Sequence, residues 1–192
     1  MASASPGIEV SPREGTAPAV LAVTGSGAGS SIRPFRIEVE SDGKHLVAVG
    51  TLLTAEWDVR WFPWTKDPRE DAPAFEALVA GDPIVRKTFP ALDFPWQGGG
   101  PEGVPADRFA TVAETTLTLP AGRYRIRTVS DDGVRVKVDG TTVLENWTWH
   151  GPTEDTAEED LSAGEHRVRV EHFELDGWAV LRCSLEPASA HR

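Results

Sequence analysis

Residues 115–145 read TTLTLPAGRYRIRTVSDDGVRVKVDGTTVLE, and their alternation decides the fold class. Over 123–130, Tyr124, Ile126 and Thr128 fall on one side of the chain while Arg123, Arg125 and Arg127 fall on the other. Over 134–138, Val134, Val136 and Val138 alternate with Arg135 and Lys137 in the same way. A period of two is what a sheet with one packed face and one wet face requires. A further strand is predicted over 116–119. The three are closed by Pro120-Ala121-Gly122, Asp131-Asp132-Gly133 and Asp139-Gly140, where glycine after a turn aspartate supplies positive φ. The chain therefore reads as all-β.

Outward from this centre the same signals recur. Short strands are predicted over 8–10, 19–23, 35–39 and 45–49, with residues 1–7 small, polar and mobile and the Ser/Gly stretch 25–31 resembling a linker. In the stretch 51–66, Trp57, Val59 and Trp61 share one face, and Pro63 ends the pairing. The one helix is predicted over 71–80, with Pro73 early, Phe75, Leu78 and Val79 apolar, and Gly81 as the stop. Residues 82–110 are rich in Pro and Gly and read as one long irregular connection, of the kind that often binds ligands. Residues 153–161 read as an acidic loop or turn. His166, Val168, Val170 and His172 then alternate with Arg167, Arg169 and Glu171 over a strand, and a last strand over 178–185 closes the domain.

The chain of 192 residues is 40% apolar and 26% charged, which suits one domain with a real core or a domain with a small appendage. A net charge of −11 argues against a general nucleic-acid binder. Cys183 is the only cysteine, so an intrachain disulfide and a thiolate metal cluster are excluded. No apolar run approaches the roughly 20 residues of a spanning helix. The opening MASASPG lacks the basic and apolar regions of a signal peptide.

The stretch from Arg123 to Trp147, RYRIRTVSDDGVRVKVDGTTVLENW, and that from Leu161 to Arg182, LSAGEHRVRVEHFELDGWAVLR, resemble the PA14 domain. This β-sandwich module occurs in bacterial toxins, in glycosidases and other carbohydrate-active proteins, and in fungal adhesins. The Ser-Asp-Asp-Gly turn, the Asp-Gly six residues after its glycine, the Asn-Trp and the second Ala-Gly turn stand in family order. The resemblance implies a PA14-like β-sandwich over 51–187 with one short helix, an N-terminal β extension over 1–50 packed on or beside the main sheet, and a tail at 188–192. It also implies an accessory module, secreted or at the cell surface, that binds a polysaccharide or glycan without catalysis. In the lectin-like fungal members two adjacent aspartates, joined by a cis peptide, coordinate a Ca²⁺ that also contacts sugar hydroxyls. Asp131 and Asp132 match them, and Asn146 is the candidate third ligand by type.

Each site residue has a structural alternative. Two hard carboxylates in one turn suit Ca²⁺, which takes six to eight oxygens; alternatively Asp131 accepts backbone N–H bonds in an Asx turn and Asp132 faces solvent or an arginine. Trp147 and Trp149 straddle Thr148 and would share one face of an extended segment, where indoles stack on sugar rings. Trp96, beside Gly98-Gly99-Gly100, and Trp64 are loop candidates for the same contact, whereas Trp57, Trp61 and Trp178 read as packed. His166 and His172 lie roughly 20 Å apart along a strand and cannot share a metal. The arginine rows either form a basic stripe or pair with carboxylates across the sheet, the latter being favoured by like-charge repulsion. No nucleophile arrangement, phosphate loop or dinucleotide motif is present. The runner-up function is a structural or protein-interaction module that positions a neighbouring enzyme or surface protein.

Overall fold

A computed structural model describes residues 2–4, 8–14, 22–25, 31–41 and 43–188. The elements run β1 (Ala2–Ala4), β2 (Ile8–Ser11), β3 (Ala22–Gly25), β4 (Ser31–Ser41), β5 (Lys44–Thr54), β6 (Trp57–Pro63), α1 (Ala72–Val79), β7 (Val85–Phe89) and β8 (Leu92–Gln97). After them come β9 (Phe109–Leu119), β10 (Gly122–Asp131), β11 (Val134–Val138), β12 (Thr141–Asn146), β13 (Thr153–Leu161), β14 (Gly164–Glu174) and β15 (Ala179–Pro187). The all-β reading holds. Two sheets face each other, one with the strand path β1-β4-β9-β14-β11-β12 and with β5, β6 and β7 attached to it, the other ordered β13-β10-β15-β8.

The predicted alternation places the core. Tyr124 and Ile126 of β10 meet Val134, Val136, Val168 and Val170 of the larger sheet, and the cluster also takes in Trp57, Val59 and Trp61. The links between consecutive strands differ from the simple hairpins suggested by the sequence. Pro120-Ala121-Gly122 and Asp131-Asp132-Gly133 each carry the chain from one sheet to the other, and of these three links Asp139-Gly140 alone closes a two-residue hairpin, with Val138 opposite Thr141. Both of its turn residues have positive φ, 51° and 84°, the backbone such a tight hairpin demands.

Helix α1 covers part of the outer face of the larger sheet. Asp71 caps it by accepting from the Ala74 N–H at 2.9 Å, and Phe75 and Val79 pack with Phe62, Trp64, Ala110 and Val112 in a second cluster. Hence the outer face of β6 is covered at Phe62.

Three connections read from the sequence as irregular are strands. Residues 2–4, expected to be mobile, pair with β4. The stretch 82–110 contains β7 and β8; β8 carries Pro95 because it is an edge strand, where one backbone donor is not needed by a neighbour. The acidic stretch 153–161 is edge strand β13, whose register sets Glu158 and Glu154 against the arginines of β10. Its charges are matched to its neighbour rather than solvated alone. In the N-terminal part, Ile8, Val10 and Ile37 form a small cluster of their own. The stretch 26–30, residues 19–21 and the tail 189–192 lie outside the described residues.

Candidate functional site

Strand register brings several of the candidate site residues to one end of the sandwich. Strand β10 lies between β13 and β15, and at its end Ser130 stands opposite Thr153 while Asp131 stands opposite Val180. The chain then crosses through Asp132 and Gly133 into β11. The loops 147–152 and 175–178 cross between the sheets at this same end, and the loop 98–108 joins them, since the Gly177 N–H donates to Asp107 at 3.2 Å. Gly133 does not adopt the positive φ expected of it. It is a glycine because the Phe173 ring occupies the space a Cβ would need.

Asp131 and Asp132 are joined by a cis peptide bond, as the family resemblance implies. Their carboxylates do not sit on an open rim. Asp131 is 5% exposed and Asp132 fully buried. Asp132 organises the two crossing loops: one oxygen accepts from the His150 N–H at 3.1 Å and the other from the Leu175 N–H at 2.8 Å. A third carboxylate joins them. Glu174, the last residue of β14, is fully buried, and it has an oxygen within 4.8 Å of oxygens of both aspartates. Neither Glu174 oxygen has a hydrogen-bond partner.

The electrostatics follow from burial and crowding of like charge. Burial, then the negative charge of Asp132, Asp131, Asp107 and Asp176, pushes the Glu174 carboxyl up to about 9. Burial and the adjacent Asp132 push Asp131 up to about 6. Asp132 is also raised, by burial, against the pull of its two backbone donors. Beneath them His172, fully buried, meets the Asp131 carbonyl through Nε2 at 3.0 Å, and burial lowers its imidazole to about 4. An all-oxygen set of three carboxylates suits a hard cation of the calcium class, while the nitrogen and sulfur donors that zinc favours are not part of the cluster.

The other predicted site residues divide. The Asn146 amide donates to Asp155 at 2.9 Å and its oxygen accepts from the Thr148 hydroxyl at 2.7 Å, so both ends of the side chain are engaged at the shoulder of the site. Trp147 does not share an open face with Trp149. Its ring packs against Phe75 and Phe173 at 5.0 and 4.9 Å, Arg135 lies over it at 4.4 Å, and its N–H donates to the Pro68 carbonyl. Trp96 is stacked on Phe94 and edge-on to Phe109, on the core side of His172. Trp64 is buried. Trp149 is exposed, at 59%. Trp178, expected to be packed, is exposed to the same degree because Gly177 turns the chain at φ 92° and Ala179 takes the buried position. Trp149 thus stands four residues ahead of β13, and Trp178 immediately ahead of β15, on the two sides of the Asp131–Asp132 turn.

A cleft of about 600 Å³ lies elsewhere, on the outer face of β9, β11 and β14 beside α1. It is lined by Glu114, Lys137, Arg167, Arg169 and Glu171, whose charges are matched within the sheet. Glu171 accepts from Arg135 and Arg169 at 2.6 Å each and from Lys137 at 3.1 Å; Glu114 meets Arg60, Arg167 and Arg169. On the opposite sheet, Arg123 and Arg125 bind Glu158, and Arg127 binds Glu154. Pairing, not a basic stripe, describes these rows. His166 is likewise satisfied, by Asp139 at 2.7 Å and the Ser162 carbonyl at 2.9 Å.

The family model for the PA14 domain matches residues 77–189, which contain the whole acidic cluster and both exposed indoles. The chain belongs to the PA14 domain family. It is 31% identical over 88 residues to anti-sigma-I factor RsgI3 of Acetivibrio thermocellus, a match covering 44% of this chain and 14% of that protein. Among solved structures, an anti-sigma factor domain-containing protein superposes with a TM-score of 0.56 at 20% identity, covering 69% of this chain and 43% of the other. A PA14 sugar-binding domain from an RTX adhesin superposes with a TM-score of 0.52 at 22% identity, covering 70% and 90%. At such identities these two show the shared fold. The chain spans about one seventh of RsgI3 and under half of the first of these structures.

Proposed function

We propose that this PA14 domain is a non-catalytic carbohydrate-binding module, acting outside the cell or at its surface, with its site at the end of the sandwich that holds Asp131 and Asp132. One observation carries the reading. The buried Asp132 carboxylate fastens two loops by their backbone N–H groups, and each loop bears an exposed indole, Trp149 on one and Trp178 on the other. Fixed, half-solvated indoles are flat apolar platforms with a donor edge, the chemistry that recognises pyranose rings. A calcium-class cation held by Asp131 and Asp132 would supply positive charge to sugar hydroxyl oxygens, since Ca²⁺ takes more oxygens than the aspartates provide. Asn146 stands opposite Val134, the first residue of β11 after the turn. The sugar-binding domain of the RTX adhesin supports the class of ligand.

The test is a glycan array probed with the purified chain, with calcium and with chelator. Binding to a subset of neutral glycans is expected, lost on chelation and weakened about tenfold by Trp149→Ala or Trp178→Ala. An array silent in calcium, or binding indifferent to both substitutions, contradicts the reading.

A second reading has its own support. Anti-sigma factor proteins appear among both the curated and the structural relatives, and this domain corresponds to a small part of RsgI3. A module that positions neighbouring domains of a longer chain fits that pattern, and it predicts tight protein association with no glycan signal.

A further inference from the structure

Glu174 has no explanation in the packing of the fold. It ends a strand whose inward positions are filled by His166, Val168, Val170 and His172, and it occupies the next inward position with a carboxylate. Both of its oxygens are sealed from water and unpartnered. The charges that act on it most strongly are negative: Asp132, Asp131, Asp107 and Asp176. A buried carboxylate in that setting lacks a donor when ionised and lacks an acceptor for its proton when neutral, and buried polar groups are almost always satisfied. What its surroundings do offer is two more carboxylates, with one oxygen of each group within 4.8 Å of the others.

We propose that Glu174 is a protein ligand of a divalent cation of the calcium class bound together with Asp131 and Asp132. The proposal rests on the reading that the Asp131–Asp132 turn holds such an ion, and it adds a ligand from a different strand. Oxygens on one Ca²⁺ lie about 2.3–2.6 Å from it, so any two are at most about 5 Å apart, and the observed spread fits one coordination sphere. Three carboxylates leave oxygen positions for water or a hydroxyl. Because Glu174 precedes Leu175, whose N–H is already held by Asp132, the ion ties the end of β14 and the 175–178 loop to the β10–β11 crossing. The ion is then a fastening of the fold as well as a contact for ligand, and its binding raises stability by mass action.

The experiment is calcium titration of the chelator-treated chain, by calorimetry and by thermal unfolding, with CaCl2 as the only added ligand. The wild type is expected to bind with Kd below about 1 mM and to gain Tm. Glu174→Gln, which keeps shape and removes charge, is expected to lose at least about tenfold in affinity and most of the calcium-induced gain in Tm. Asp93→Asn, the same charge change at an exposed position paired with Arg182, is expected to titrate like wild type. Glu174→Asp retains the charge but withdraws the oxygens by one methylene, and should also weaken binding while folding normally in chelator. Affinity unchanged in both Glu174 variants, or no binding by wild type at about 10 mM calcium, overturns the proposal. Calcium-dependent glycan binding with intact calcium affinity in Glu174→Gln would sink this inference alone. Loss of calcium affinity in that variant with a silent array would sink the glycan reading alone.

Discussion

Glu171 and Glu174 stand three residues apart on the same strand, both fully buried, and their surroundings are opposite. Glu171 faces outward, where Arg135, Lys137 and Arg169 converge on it. Burial alone would raise its carboxyl, but Arg135, Arg169 and Lys137 outweigh burial and hold it below the usual range. Glu174 faces the other acids, and burial with like charge raises it. One position is electrostatically complete and the other is not. Burial of a charge therefore says little by itself; what distinguishes structure from site is whether the fold supplies the counter-charge.

The comparison is sharpest under substitution. Glu171→Ala removes the buried carboxylate shared by Arg135, Lys137 and Arg169, leaving them only their exposed or shared partners Glu76, Glu145 and Glu114, and should destabilise the chain by about 3 kcal/mol in denaturant unfolding. Glu174→Gln, measured in chelator, should leave stability unchanged or raise it, because it replaces an unpartnered buried carboxyl that must take up a proton on folding. Similar losses for the two would break the contrast. Next in size, Gly133→Ala forces the Phe173 ring to shift and should cost about 1–3 kcal/mol, with calcium affinity falling as the crossing is displaced. A substitution tolerated at no cost would show that the crossing is loosely packed.

A pH series separates the two acids without mutation. In the unfolded chain a glutamate ionises near its ordinary value of 4.5, whereas folded Glu174 does so near 9. Between those values the folded state holds the additional proton, so stability in chelator should fall as pH rises, by at most about 1.4 kcal/mol per pH unit for this group. His172 acts in the opposite sense lower down. Its folded value near 4 lies below the unfolded 6.5, so its contribution is lost as pH falls through that window. Above about pH 7 the decline should therefore follow Glu174, and Glu174→Gln should flatten it. Glu171, already ionised and paired, should contribute no slope there. The smallest effect is expected at Trp149→Ala and Trp178→Ala, which should move stability by less than about 0.5 kcal/mol, since these rings cover little core. A larger loss would reclassify them as packing residues.

Sequence alternation sufficed for the frame. Arg123/Tyr124 and Arg167/Val168 each announce a strand and its buried side, and Asp71 with Pro73 announces the helix. It failed where a strand takes its identity from a partner. Residues 153–161 are acidic on both faces and look like a solvated loop until β10 supplies the arginines. Asp131 and Asp132 were legible as a pair because they are adjacent. Glu174 was missed although its parity marked it: it continues the inward series 166, 168, 170, 172, and a carboxylate at an inward position calls for a partner. Trp147 and Trp178 exchanged roles for reasons no local pattern holds, since Arg135 and Phe75 approach Trp147 from distant segments and the turn at Gly177 frees Trp178.

The most direct measurement is a crystal structure of the chain grown with millimolar calcium and a bound oligosaccharide. The account predicts one ion with oxygens of Asp131, Asp132 and Glu174 about 2.3–2.6 Å away, and a sugar ring against Trp149 or Trp178. Crystals in which the three carboxylates enclose no ion, with sugar absent or bound at the charged cleft beside α1, would contradict it.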